Sequence, residues 1–313
     1  MAGAYRFDPE LVPVVAQLPQ RDYGDLPATR AAVRATAAAL PPVDTAGVMT
    51  TELGLPAGVR VRVYRPENPS PTPTGAILHA HGGGFVLGDL ETSHARNVAL
   101  VRALGVPLVS VDYRLAPEHR FPAALDDVHA AFTWLVAESA GLGVAPGRIV
   151  LHGSSAGSCL VAGVALLARD RGGPTPCLLY LGMPVLDDRL ATPSIRRFTD
   201  TPMWDGHKAR TSWEAYLGPG VPGTDAVSHY AAPARARDLT GLPPTYLSVM
   251  MFDPLRDEGL EFATALLAAD VPVEVHLFPG TYHGSSLAAH TAIAQREAAE
   301  EVTVLRTALG GAR

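Results

Sequence analysis

Three short stretches of this chain carry side chains that can take up and release an acyl group. "GSSAG" (153–157) sets Ser155 between Gly153 and Gly157, a G-x-S-x-G match. A serine hydroxyl attacks a carbonyl only when a base removes its proton, and the base needs a carboxylate to hold its tautomer and to stabilise its charged form. "GTYHG" (280–284) offers His283 as the base, and "FDPLRDEG" (252–259) offers Asp253 as the acid. The order serine, acid, histidine is one of the chain orders in which such a trio occurs. Asp257 and Glu258 compete with Asp253. Asp253 is preferred because it closes an apolar run, whereas Asp257 falls a turn into the next helix, where an acid caps or faces water. A lone G-x-S-x-G is weak evidence in a chain with 30 glycines among 313 residues. Its context strengthens it, because an apolar run ends at the motif and a helical pattern begins there, as a nucleophile elbow requires.

"HGGGFVLGD" (81–89) supplies the complement. An acyl-transfer intermediate puts negative charge on the former carbonyl oxygen. Preorganised N–H donors at that point lower the barrier by roughly 3–4 kcal/mol each. Gly83 and Gly84 are candidates, since a side chain at either position would crowd the substrate carbonyl. Ala156, at the start of the helix after Ser155, is the third. The glycines do not form a phosphate cradle, because neither G-x-x-x-x-G-K-[ST] nor a strand-following G-x-G-x-x-G is present. His79 and His81, two apart, could be read as a metal pair, but the glycines after them add no ligand; His81 is read instead as a brace for the glycine loop. Asp112, Arg114, Glu118 and His119 are read as a charged network supporting that loop. Cys159 is read as an inert small hydrophobe.

These groups need a scaffold that brings strand ends together. "VRVRVY" (59–64) alternates as a half-buried strand, and "GAILHAH" (75–81), "VPLVSVDYR" (106–114), "RIVLHGSS" (148–155), "PCLLYLGMPV" (176–185), "PPTYLSVMMFD" (243–253) and "VPVEVHLFPG" (271–280) are apolar runs of strand length. Helical patterns lie between them, starting at Pro122 and spanning 156–170, Leu255–Ala269 and Ser285–Leu309. Alternating strands and helices predict an α/β domain with a parallel sheet. Ser155, Asp253 and His283 then all follow strand ends on one edge of it. Residues 1–50, read as short helices such as Thr29–Leu40, and residues 186–240 break the rhythm. They are read as two cap segments over a catalytic domain spanning 51–313. Trp204, Trp213 and Tyr216 are candidates either for a substrate pocket or for the core of the cap.

Composition narrows the function classes. The chain is 47% hydrophobic and carries a net charge of −6, so no basic face for nucleic acid is expected. Its two cysteines make no disulfide framework. The first twenty residues lack the apolar core of a signal peptide, and no apolar run is long enough to span a membrane. A cytoplasmic location is expected, and an exposed edge strand makes a homodimer an expectation.

"HGGGF", "DYRLAPEHRFPAALDD" (112–127), "GSSAG", "DPLRDEG" and "YHG" occur in one order and spacing. Over roughly residues 55–305 the chain thereby resembles the hormone-sensitive-lipase-like esterases, bacterial family IV of the α/β-hydrolase superfamily. The resemblance implies a mostly parallel eight-stranded sheet flanked by helices, with a helical cap. It implies hydrolysis of short to medium acyl esters with no cofactor, and the residues themselves give no expectation of a metal site. It also implies Ser155, Asp253 and His283 as the triad, and Gly83, Gly84 and Ala156 as oxyanion donors. The chain departs from the family at Ser154 (usually Asp or Thr), at Ser158-Cys159 (usually Gly-Asn) and at Ser285 (usually Phe). Those departures keep open a specialised amide or lactone hydrolase, an acyltransferase or an eliminase. A silent ligand receptor on the same scaffold is disfavoured, because no member of the trio is missing.

Overall fold

In the computed structural model, residues 5–19 and 23–310 are described. Residues 1–4 and 20–22 of the first expected cap segment lie outside them. In chain order the elements are α1 (Val12–Val15), α2 (Leu26–Ala38), β1 (Val48–Gly54), β2 (Arg60–Pro66), β3 (Thr74–Ala80), α3 (His94–Leu104), β4 (Leu108–Asp112) and α4 (Ala123–Ala137). They continue with β5 (Val144–Ser154), α5 (Ala156–Asp170), β6 (Leu178–Gly182), α6 (Pro193–Arg197), α7 (Gly206–Leu217), β7 (Thr245–Phe252), α8 (Arg256–Ala268), β8 (Val273–Tyr282) and α9 (Ala292–Ala308).

The eight strands form one sheet in the order β1-β2-β4-β3-β5-β6-β7-β8. β1, β2 and β4 pair antiparallel, and every pairing from β4 through β3 to β8 is parallel. This is the α/β architecture the alternation predicts. Both faces are covered, so the central strands are apolar on both sides. Leu78, Val109, Leu151 and Leu247 face a core shared with α4, α5 and the aromatics Trp204, Trp213 and Tyr216. Ile77, Leu108, Val150 and Leu178 face a second core with α3 and α9. α5 is buried at every residue from Ala156 to Ala168, which explains its nearly uniform apolar sequence.

Three elements differ from the sequence expectation. β1 begins at Val48, inside the stretch read as helical, because its pairing with β2 is a contact that local pattern does not show. α3 was not anticipated; Asn97 sits among its buried residues and blurs the apolar stripe. The terminal helix starts at Ala292 rather than Ser285: a single 3₁₀ turn (Ser285–Leu287) comes first, and Thr291 caps α9 by accepting from Ala294 N–H. The stretch 186–240 holds α6 and α7, each started by a capping side chain: Thr192 accepts from Ile195 N–H, and Asp205 accepts from His207 and Lys208 N–H.

On the α3/α9 side a single register row runs across the sheet: Glu52, Arg62, Ser110, His79, His152, Tyr180, Tyr246 and Glu274, one residue from each strand. Four of these side chains form a ladder of rings. Centroids are 5.0 Å apart for His79–His152, 4.5 Å for His152–Tyr180 and 4.8 Å for Tyr180–Tyr246.

Candidate active site

Ser155 is the single residue between β5 and α5, with φ 55° and ψ −118°. A non-glycine residue with positive φ is strained, and here the strain turns the chain from strand to helix in one step. The flanking glycines are demanded sterically. A Cβ on Gly153 would stand 2.4 Å from Ser158 N, and one on Gly157 would stand 2.0 Å from Ala80 O, so α5 could not approach the end of β3. Ser155 N–H donates to Gly182 O at 2.7 Å, tying the elbow to β6.

The turn brings Ser155 to the two residues expected to join it. His283, in the loop after β8, stands with Nε2 2.9 Å from Ser155 Oγ and Nδ1 2.7 Å from Asp253 Oδ2. Asp253 directly follows β7, is buried, and accepts from Leu255 N–H at 2.9 Å through its other oxygen. Each is preceded by an aromatic residue that locks the strand end. Phe7 meets Phe252 at 5.4 Å and Tyr282 at 5.5 Å between ring centroids, so the N-terminal segment holds the two loops in register. The rival acids are used elsewhere. Asp257 accepts from Ser194 N–H at the start of α6 and pairs with Arg256. Glu258 is buried and accepts from Leu186 and Asp187 N–H, and burial holds its carboxyl well above the usual range.

The glycine loop lies against the elbow. A Cβ on Gly82 would be 3.3 Å from Ser155 Cβ. Gly83 (φ +128°) and Gly84 (φ +60°) need glycine twice over, since a Cβ would stand 2.2 Å from Leu87 O and 2.6 Å from Ser212 Oγ respectively. Among the described residues, no protein acceptor takes the N–H of Gly83, Gly84 or Ala156. His81 braces the loop as expected: its ring stacks on Tyr113 at 4.2 Å, and its Nδ1–H donates to Gly82 O. His79 turns instead to His152, so the two histidines do not converge.

The charged support is broader than the sequence indicates. Arg114 holds Asp127 in a fork, and Asp112 pairs with Arg60. Glu118 acts through Arg30 of α2, a residue sequence reasoning missed, which donates to Val86 O and Ala116 O behind the glycine loop. Its only sequence signal is an arginine on the apolar side of a short helix, too common to read. His119 is exposed and adds no side-chain bond among the described residues. Cys159 donates Sγ–H to Ala231 O, and burial pushes its thiol well up; neither cysteine is in a disulfide.

The three aromatic candidates separate. The Trp204 ring lies over Gly84 and 5.7 Å from the His283 ring, at the site itself. Trp213 and Tyr216 pack behind it on Phe85, with Tyr216 stacked at 4.0 Å, and belong to the core between α7 and the loop. A cavity of about 890 Å³, lined by Cys177, Tyr246, Glu274 and Arg306 among others, opens at the other ends of β6–β8, away from Ser155.

Residues 77–287 match a family model described as the alpha/beta hydrolase fold. The chain belongs to that family, in its hormone-sensitive-lipase-like branch. It is a carboxylic ester hydrolase. Among curated relatives it is 38% identical to Esterase LipI of Mycobacterium tuberculosis over 237 residues, covering 73% of this chain and 72% of the relative. It is also 38% identical to Carboxylic ester hydrolase LipN of the same organism, covering 83% of this chain and 70% of the relative. Among solved structures, a bacterial heroin esterase superposes with a TM-score of 0.94 at 46% identity, covering 97% of this chain and 98% of the other. No helix of the described residues is long and apolar enough to cross a membrane.

Proposed function

We propose that this enzyme hydrolyses short to medium-chain acyl esters of small molecules through Ser155, with His283 as base and Asp253 as its orienting acid. One observation carries the assignment: His283 bridges a buried carboxylate and the hydroxyl of a strained elbow at 2.7 and 2.9 Å. Ser155 Oγ attacks the ester carbonyl while His283 Nε2 takes its proton, then delivers it to the departing alcohol. The oxyanion sits among the N–H groups of Gly83, Gly84 and Ala156. Water, deprotonated by the same His283, then releases the acid from the acyl-enzyme. The cap, from the segment before β1 and residues 186–240, sets the acyl length, and Trp204 over Gly84 keeps that space short. Two family departures have local uses that favour no other chemistry: Ser158 Oγ–H donates to Gly182 O, and Cys159 fills a buried site.

Initial rates on p-nitrophenyl esters from acetate to dodecanoate test this. Activity should peak at short chains and fall by about 10⁴-fold or more in Ser155→Ala. A variant that keeps its rate overturns the assignment. Two unpaired cysteines fit a reducing, cytoplasmic setting. A second copy of the chain is the partner expected on edge strand β8, where Val275 (38%) and Leu277 (37%) are exposed beside Met251 (37%). Sedimentation should give a dimer that Val275→Lys with Leu277→Lys reduces to a monomer; a monomeric parent enzyme removes the proposal.

A further inference from the structure

Twelve buried side-chain nitrogen or oxygen atoms of the described residues have no hydrogen-bond partner, and four of them lie between residues 204 and 216. These are Trp204 Nε1, Ser212 Oγ, Trp213 Nε1 and Tyr216 OH, in the part of the cap that packs on the glycine loop. Buried polar atoms are rarely left unpaired, and a cluster of them beside a binding site marks where a ligand or water completes the bonding.

Ser212 is the most telling of the four. It lies inside α7 and is 2% exposed. A hydroxyl in a helix usually returns its hydrogen to the carbonyl four residues earlier. Its neighbour Thr211 does so to His207 O, and Thr133 to His129 O, Thr264 to Leu260 O and Thr303 to Ala299 O. Ser212 does not; its Oγ points outward to Gly84, 2.6 Å from where a Cβ on that glycine would lie. Trp204 Cη2 stands 2.7 Å from the same point, and its ring reaches toward His283. The surface packed on Gly84 thus has an apolar end at Trp204 and a polar end at Ser212. The departing alcohol must face His283 to receive its proton and the carbonyl oxygen must face the loop N–H groups, so the acyl chain takes the one remaining direction, which we place beside Gly84 and Ser212.

We propose that Ser212 determines acyl specificity: its hydroxyl hydrogen-bonds an oxygen carried on the acyl chain close to the scissile carbonyl. The favoured substrates are short hydroxy-, alkoxy- or oxoacyl esters, ahead of alkyl esters of equal length. This rests on Ser155 as nucleophile and Gly84 as an oxyanion donor. A site that bonds a polar atom discriminates against the analogue lacking it, because its own group is then left unpaired.

The test compares p-nitrophenyl methoxyacetate with p-nitrophenyl butyrate, which match in length and differ in one oxygen. Each kcat/KM is divided by the ester's rate with hydroxide to remove intrinsic reactivity. The corrected methoxyacetate-to-butyrate ratio should exceed one for the parent enzyme. It should fall about tenfold in Ser212→Ala, the worth of one hydrogen bond, with the butyrate rate held within about twofold. A parent ratio below one overturns the proposal, as does an unchanged ratio in the variant or an equal loss on both esters. Ser155→Ala, run beside them, separates the two levels. If it is inactive while the ratio does not move, only the Ser212 assignment falls. If it stays active, the nucleophile falls and Ser212 with it.

Discussion

Two histidines of this chain each bridge a carboxylate and a second group. His283 joins Asp253 to Ser155, and His152 joins Glu301 to His79. The bond lengths hardly differ: 2.7 and 2.9 Å in the first, 2.8 and 2.8 Å in the second. Their surroundings do. His283 stands in a loop past a strand end and is 8% exposed, whereas His152 lies within β5 with no exposed surface. Asp253 pairs with no arginine or lysine among the described residues, whereas Glu301 is gripped by Arg96 at 2.6 Å. Burial opposes ionisation of Glu301, but Arg96 and His152 outweigh it and pull the carboxyl down to about 2. Burial keeps His79 and His152 neutral. A histidine acting as base needs a carboxylate free to stabilise the imidazolium that forms. With Arg96 already answering Glu301, the second system holds the sheet to α3 and α9 and has no hydroxyl to activate.

Two substitutions of the same kind separate the systems. Asp253→Asn should lower kcat by about 10⁴-fold, by releasing the wrong imidazole tautomer, while the unfolding midpoint in urea barely moves. Glu301→Gln should do the reverse. It strands Arg96 and costs about 3 kcal/mol, the lower end for a buried pair because Arg96 keeps part of its side chain in water. The kcat of the folded enzyme should stay within about twofold. Were Glu301→Gln to depress kcat as deeply as Asp253→Asn, the contrast would break and the two histidines would have to be coupled through the sheet.

The hydrogen-bonded arrangement of Ser155, His283 and Asp253 was legible because each residue carries a local mark: Ser155 its flanking glycines, Asp253 and His283 the ends of apolar runs. Register then does the rest, since parallel strands deliver all their ends to one edge. The second system was not legible. His152 and Glu301 are far apart in sequence, and no local pattern announces that β5 and α9 will meet. Neither is the row of rings, because it exists only once the strand order and register are known. α3 stayed hidden for a related reason: its buried face includes Asn97, which reads as solvent-facing until Tyr64 and the sheet are in place. Within residues 186–240, Trp204, Trp213 and Tyr216 look alike as aromatics in an irregular stretch. Only the path of α7 across Phe85 puts two of them in the core and leaves Trp204 at the site.

Glu297 sharpens the contrast by its pH dependence. It lies on α9 near Arg96, Glu300 and Glu301, almost wholly buried. Burial raises its carboxyl from 4.5 to about 7; Arg96 pulls the other way, and the like charges of Glu301 and Glu300 add to the rise. Between pH 4.5 and 7 the folded chain therefore keeps a proton that the unfolded chain gives up, so this residue's contribution to stability falls as pH rises across that window. Above it the whole cost is in place, about 3 kcal/mol from the size of the shift. Glu301 works with the opposite sign, its support being lost only as pH falls from 4.5 toward 2. Gln at 297 imitates the protonated acid. Glu297→Gln should match the parent enzyme in unfolding free energy below pH 4.5, then gain on it up to pH 8. The pH profile of kcat/KM should not shift, because the proton involved sits on α9 beside Arg96 and Glu301, outside the hydrogen bonds of His283. Parallel stability curves for the two proteins would place the Glu297 charge in water and unseal the row. A displaced activity profile would instead tie the row to His283 and Ser155, making one network of the two.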